Sequence, residues 1–168
     1  MKTTDTTQRV VNVLSYGILI AMTAMIAYWI ITDSLEDIET IFIAIFLSAL
    51  MGANIVLSNR GQARLAAWLV IGLLLALNAA NIIWYGIGTT STAALLIPIT
   101  AAVIGLGARE GSLVTLISLV VVWGTVLAAD AGQLTTEIPY QVSNLTFDAP
   151  MLTILFVFMA FLTAQAKR

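Results

Sequence analysis

RLAAWLVIGLLLALNAANIIWY, residues 64–85, carries a charge at its first position and then runs to its end without another. At about 1.5 Å of rise per residue, a helix over this stretch covers the roughly 30 Å of hydrocarbon in a bilayer. A buried helix of a water-soluble protein is also apolar, so one such run decides nothing. Others do: Val10 to Ile31, Ile38 to Leu57, Ser91 to Ala108, Ser112 to about Asp130 and Ala149 to Ala166 carry no charge beyond Glu39 and Asp130 at their ends, with only short breaks between most of them. With 60% hydrophobic residues and a mean hydropathy of +1.01, too little polar sequence remains to coat a soluble surface. The sequence therefore predicts an all-α polytopic membrane protein, a six-transmembrane-helix bundle. It forms one membrane domain over residues 1–168, with the lipid bilayer as its solvent.

The breaks carry the orientation. All seven basic residues fall on one side of a six-span arrangement: Lys2 and Arg9, then Arg60 and Arg64, then Arg109, then Lys167 and Arg168. The other side receives Asp33, Glu36, Asp37 and Glu39, the uncharged turn GIGTTST (86–92), and Asp130, Glu137 and Asp148. Basic flanks stay in the cytoplasm, so both termini are expected inside, and removal of any one span would scatter the basic residues over both faces. Tyr28, Trp29, Trp84 and Tyr85 end the first and third spans at the outer interface, where aromatic rings are favoured. The polar start, MKTTDTTQR, leads into an apolar run with no small-residue cleavage site, which predicts an uncleaved first span. The expected location is a bacterial cytoplasmic membrane.

Composition also excludes chemistry. The chain has no cysteine and no histidine, so it lacks thiolate sites, the commonest metal ligand and the usual general base. A net charge of -2 argues against nucleic acid as a partner. There is no phosphate loop, nucleophile elbow or zinc motif, so no enzyme, metal or cofactor is expected. Apart from Glu39, Arg64 and Asp130 at their ends, the six runs contain no Asp, Glu, Lys, Arg or His, whereas pumps and proton-coupled carriers commonly place such groups there.

What remains inside the membrane is amides, hydroxyls and small residues. Asn54, Asn78, Asn81 and Thr100 are expected to hydrogen-bond neighbouring helices. Small residues at four-residue spacing predict helix packing along Gly17 and Ala21, along Ala44, Ser48 and Gly52, along Gly72, Ala76 and Ala80, along Ala101 and Gly105, and along Gly124, Ala128 and Gly132. Pro98 predicts a kink between Ala94 and Pro98, a candidate hinge. Asp148, Ala149 and Pro150 read as the cap and first turn of the sixth span. For a ligand, the candidates are Asn78, Asn81 and Tyr85, which share a helix face at i, i+3 and i+7, with Trp84 beside them.

Three turns carry a family resemblance: NRGQARLAAW (59–68), YGIGTTSTAALLIP (85–98) and GLGAREGS (105–112). Together with six spans and a basic exit, this stretch resembles the multi-span input region at the N-terminus of bacterial sensor histidine kinases and related membrane-anchored signalling proteins. The resemblance implies a sensory or receptor module that passes a signal through its last helix, cut from or acting beside a larger signalling protein. With no phosphoacceptor histidine and no nucleotide-binding domain, it implies no catalysis. Two other roles fit the same residues: a small accessory subunit of a respiratory, photosynthetic or transport complex, or the substrate-binding component of a vitamin importer. The expected partners are accordingly other membrane subunits or a second copy of the chain.

Overall fold

A computed structural model describes residues 3–31, 38–87 and 90–166, and all regular structure among them is helical. The helices are α1 (Thr3–Ile31), α2 (Ile38–Asn59), α3 (Ala63–Tyr85), α4 (Thr90–Ala94), α5 (Leu96–Gly105), α6 (Ala108–Asp130) and α7 (Ala149–Ala166), with a π-helical turn at Asn144–Asp148. Five helical stretches are long and apolar enough to cross a membrane: Asp5–Ile31, Ile41–Asn59, Ala63–Tyr85, Ala108–Asp130 and Asn144–Gln165. They leave large apolar side chains such as Ile20, Phe42, Val120 and Ile154 exposed, which fits a membrane protein and not a soluble one. The acidic cluster at Asp33, Glu36 and Asp37 lies outside the described residues, as do Lys2, Lys167 and Arg168.

The fourth apolar run differs from expectation. It is not one helix over 91–108 but the short α4, a break at Leu95, and α5, which ends at Gly105. Pro98 supplies the reason, because it has no N–H to bond the Ala94 carbonyl and its ring crowds that turn. The ladder resumes with Ile99 N–H on Leu95 C=O at 3.3 Å. The apolar helix here, Thr92–Gly105, is therefore shorter than the five others.

The chain forms two compact units, Met1–Val70 and Ile71–Arg168. In the first, α1 and α2 pack together, and α2 buries the stripe Ala44, Leu47, Met51, Asn54, Ile55 and Ser58 at helical spacing. Helix α1 begins well before its apolar run because its polar first turns have partners. Gln8 and Asn12 both donate side-chain hydrogen bonds to Asn59 Oδ1, at 3.1 and 3.4 Å. Deeper in the pair, Asn54 Nδ2 donates to Ser15 Oγ at 3.1 Å, with both residues buried. Helix α2 stops where Gln62 N–H closes onto Leu57 C=O, leaving a short turn before α3.

In the second unit α5, α6 and α7 pack on one another around Ile99, Ala102, Val114, Val122, Val126 and Phe156. Helices α5 and α6 approach closely at Gly111. A Cβ there would overlap Val103 Cγ2 and stand 3.0 Å from Val103 Cα, so only glycine lets the two backbones come this near. Helices α6 and α7 share a polar contact as well: Trp123 Nε1 donates to Thr153 Oγ1 at 2.9 Å, while Thr153 donates to its own helix at Ala149 C=O.

Candidate functional site

The face of α3 that sequence spacing assembles is only partly a site. Asn78 is half-buried, and its amide donates to Leu74 C=O at 2.7 Å, one turn back on its own helix rather than across to a neighbour. Thr100 likewise bonds Leu96 and Ile97 carbonyls of its own helix. A helical side chain reaches the carbonyl four residues back without moving, so this local bond competes with any interhelical one. Asn81 is exposed and lines none of the cavities described here. Of the four amides and hydroxyls expected to bridge helices, Asn54 does so.

Trp84 and Tyr85 are where α3 meets the rest of its unit. Trp84 C=O accepts Glu137 N–H at 3.0 Å and Tyr85 C=O accepts Ile138 N–H at 3.2 Å, so the connection between α6 and α7 is pinned to the end of α3. Gly86 makes this possible. Its φ of +92° is disfavoured for other residues, and a Cβ would lie 3.2 Å from Thr136 Oγ1 and 3.3 Å from Ile138 O. Trp84, Ile83 and residues 134–137 then line an open groove at this end, with the indole 70% exposed.

From the pinned segment the chain runs through Tyr140 into the π-turn. The Tyr140 hydroxyl is enclosed, with the Asp130 carboxylate as its neighbouring charge. Loss of solvent, first, and Asp130, second, raise the phenol pKa above 10.0. The folded state thus holds this proton more tightly than the unfolded chain, and its contribution to stability is lost as pH rises past the folded value. Asn144 then closes the turn: its Oδ1 accepts Gln141 N–H at 2.7 Å and its Nδ2 donates to Asp148 Oδ2 at 2.8 Å. The cap expected at Asp148 is not found: helical backbone runs from the π-turn straight into α7 at Ala149, and Asp148 is held by Asn144 inside the π-turn.

The small-residue stripes are placed unevenly. Gly17 and Ala21 are exposed, as are Gly72 and Ala76, and nothing stands within 4 Å of a Cβ built on Gly17, Gly52 or Gly72. Ser48 donates to Ala44 C=O at 2.8 Å. Pro98 is buried in the first turn of α5. Sequence reading missed Gly111, whose nearest small residue four positions on is Thr115, and it missed the Trp123 to Thr153 contact. Gly107 does stand four residues before Gly111, but which residue meets Gly111 or Trp123 depends on which helices become neighbours.

No group of three or more acidic side chains that could hold a metal forms among the described residues. No family model, curated protein or solved structure matches the chain, so its function rests on the argument from its own residues.

Proposed function

We propose that the protein is a non-enzymatic sensory or receptor module of a bacterial cytoplasmic membrane, with α4 and α5 together making a fourth crossing among six. In this reading both termini and the turns at Arg60 and Arg109 are cytoplasmic, and a change at the outer face reaches the inside through α7. The observation that carries the reading is the continuous connection from the aromatic end of α3 to α7. Trp84 and Tyr85 hold residues 137 and 138 by backbone hydrogen bonds, and that segment leads through the π-turn directly into α7. Short π-helical segments are frequent at functional sites because an extra residue per turn is readily gained or lost. The likeness of residues 59–124 to sensor input regions supports the same reading. An accessory-subunit role is favoured instead by the outward small-residue faces at Gly17 and Ala21 and at Gly72 and Ala76, which a partner helix approaches closely.

The absence of cysteine makes the test direct. Single cysteines at Ser143 and Gln62, both exposed, report orientation: an impermeant reagent labels the first and spares the second in intact cells. Nitroxides at Leu113→Cys and Gln165→Cys then measure the inner ends of α6 and α7. Glu137→Pro deletes the N–H given to Trp84. We expect it to shift that inner distance by about 1–2 Å, the scale of signalling helix shifts. An unchanged distance in a folded variant means that α7 is insulated from the outer face, and the sensory reading fails.

A further inference from the structure

A groove of about 420 Å³ runs between α6 and α7, from Ala108 and Ala164 at one end to Leu119 and Val157 at the other. Its only hydroxyls belong to Ser112 and Thr115, and both are already used: they donate to Ala108 C=O at 2.9 Å and Gly111 C=O at 2.8 Å on their own helix. The groove therefore offers its occupant hydrocarbon and no free donor. From residue 108 to 119, at about 1.5 Å per residue, it is roughly 16 Å long, close to half of a 30 Å hydrocarbon core and so one leaflet deep. A helix about 10 Å across does not enter a slot between two helices in direct contact, whereas a single acyl chain does.

The charge at the mouth distinguishes one lipid from another. Arg109 follows Ala108 at the start of α6, is exposed, and has no partner among the described residues. The positive end of the α6 dipole lies in the same turn. Glu110 is the opposing charge there, and it is engaged by other groups.

We propose that the α6–α7 groove is a specific site for an anionic phospholipid of the leaflet on the basic side, one acyl chain lying in the groove and the headgroup phosphate against Arg109. The site rests on the membrane-spanning reading but not on the sensory one. Because the groove is walled by α7, its occupant bears on the helix to which a signal was assigned above.

The test uses the full chain reconstituted in phosphatidylcholine vesicles, with trace phosphatidylglycerol or phosphatidylcholine spin-labelled on the acyl chain. The motionally restricted fraction should favour the anionic lipid by about fivefold, the effect of one basic residue near a membrane surface. Arg109→Gln, at an exposed position, should reduce that preference to parity while leaving the fold intact. Ala160→Phe fills the groove from the α7 side and Ser112→Leu from the α6 side, so either folded variant should remove the extra restricted lipid. Preference unchanged in Arg109→Gln, or an unchanged restricted fraction in the folded groove-filling variants, identifies ordinary boundary lipid and overturns the site. Efficient self-crosslinking of Ala164→Cys in the same vesicles also overturns it, because a second copy then covers the groove. Extraction of the protein from vesicles by alkaline carbonate instead defeats the membrane-spanning reading itself, and the lipid site with it.

Discussion

The α1–α2 pair and the α5–α6 pair hold together by opposite means. Between α1 and α2 the contact is polar: Asn54 reaches Ser15, and Gln8 and Asn12 converge on Asn59. Between α5 and α6 it is steric, with Gly111 admitting the Val103 backbone and side chain. In water the hydrophobic effect would drive both pairs together, but lipid tails are as apolar as leucine, and the two remaining forces are close packing and interhelical hydrogen bonds. The pairs differ in what they tolerate. Long amide side chains absorb small displacements, and they leave buried acceptors unsatisfied, among them Asn12 Oδ1 and Asn54 Oδ1. A glycine contact leaves nothing unsatisfied but has no slack for one methyl group.

The largest effect should come from that methyl. Gly111→Ala forces Val103 aside, and Val103 is fully buried and stiff at χ1. Overpacking of this kind costs about 1–3 kcal/mol, to be read as a lower melting temperature in detergent. Gly124→Ala, on the same helix but with nothing within 4 Å, is the control. If the two variants melt alike, the steric account of the α5–α6 contact is wrong.

Next comes Gly86→Ala, which combines a positive φ with a crowded Cβ and should cost roughly 1–2 kcal/mol. Its signature is local: the amides of Glu137 and Ile138, bonded to Trp84 and Tyr85, should lose hydrogen-exchange protection before the α6 core does. Equal protection in variant and parent would show that the pinned segment does not depend on this turn.

Asn54→Ala tests the polar pair and should cost less, about 0.6–1.7 kcal/mol, since it removes an unsatisfied acceptor along with the bond. A double-mutant cycle with Ser15→Ala isolates the pairwise term. Additive single effects would mean that the hydrogen bond contributes nothing beyond packing.

Smallest, and opposite in sign, is Gly17→Ala. Its Cβ meets open space on an exposed face, so the monomer should gain about 0.5–1 kcal/mol from helix propensity. Destabilisation instead, together with loss of an oligomer, would show that a partner uses that face.

How much of this was legible beforehand varies with the kind of residue. Apolar runs mark helices directly, because hydrocarbon thickness sets a length that can be read along one chain, and α2, α3, α6 and α7 begin or end within a few residues of those runs. Pro98 was equally legible, since a missing N–H breaks a helix in any surroundings. The face at Asn78, Asn81, Trp84 and Tyr85, expected to take a ligand, was legible only as spacing. Asn78 bonds its own helix and Asn81 faces outward, while the backbone carbonyls of Trp84 and Tyr85 make contacts that no side-chain pattern foretells.

By itself, then, the sequence determined that the chain is helical, that its long helices suit a bilayer, and where the fourth run breaks. Each follows from local chemistry: hydropathy summed over a span, and a proline without a donor. Only the tertiary structure decided which small residues meet another helix and which amide finds a partner across the gap. Gly17 and Gly111 are the same residue on apolar helices, and one is bare while the other is filled by Val103. The difference lies in which neighbour arrives at that height, and in lipid that choice depends on close fit and hydrogen bonding, neither of which a hydropathy pattern records.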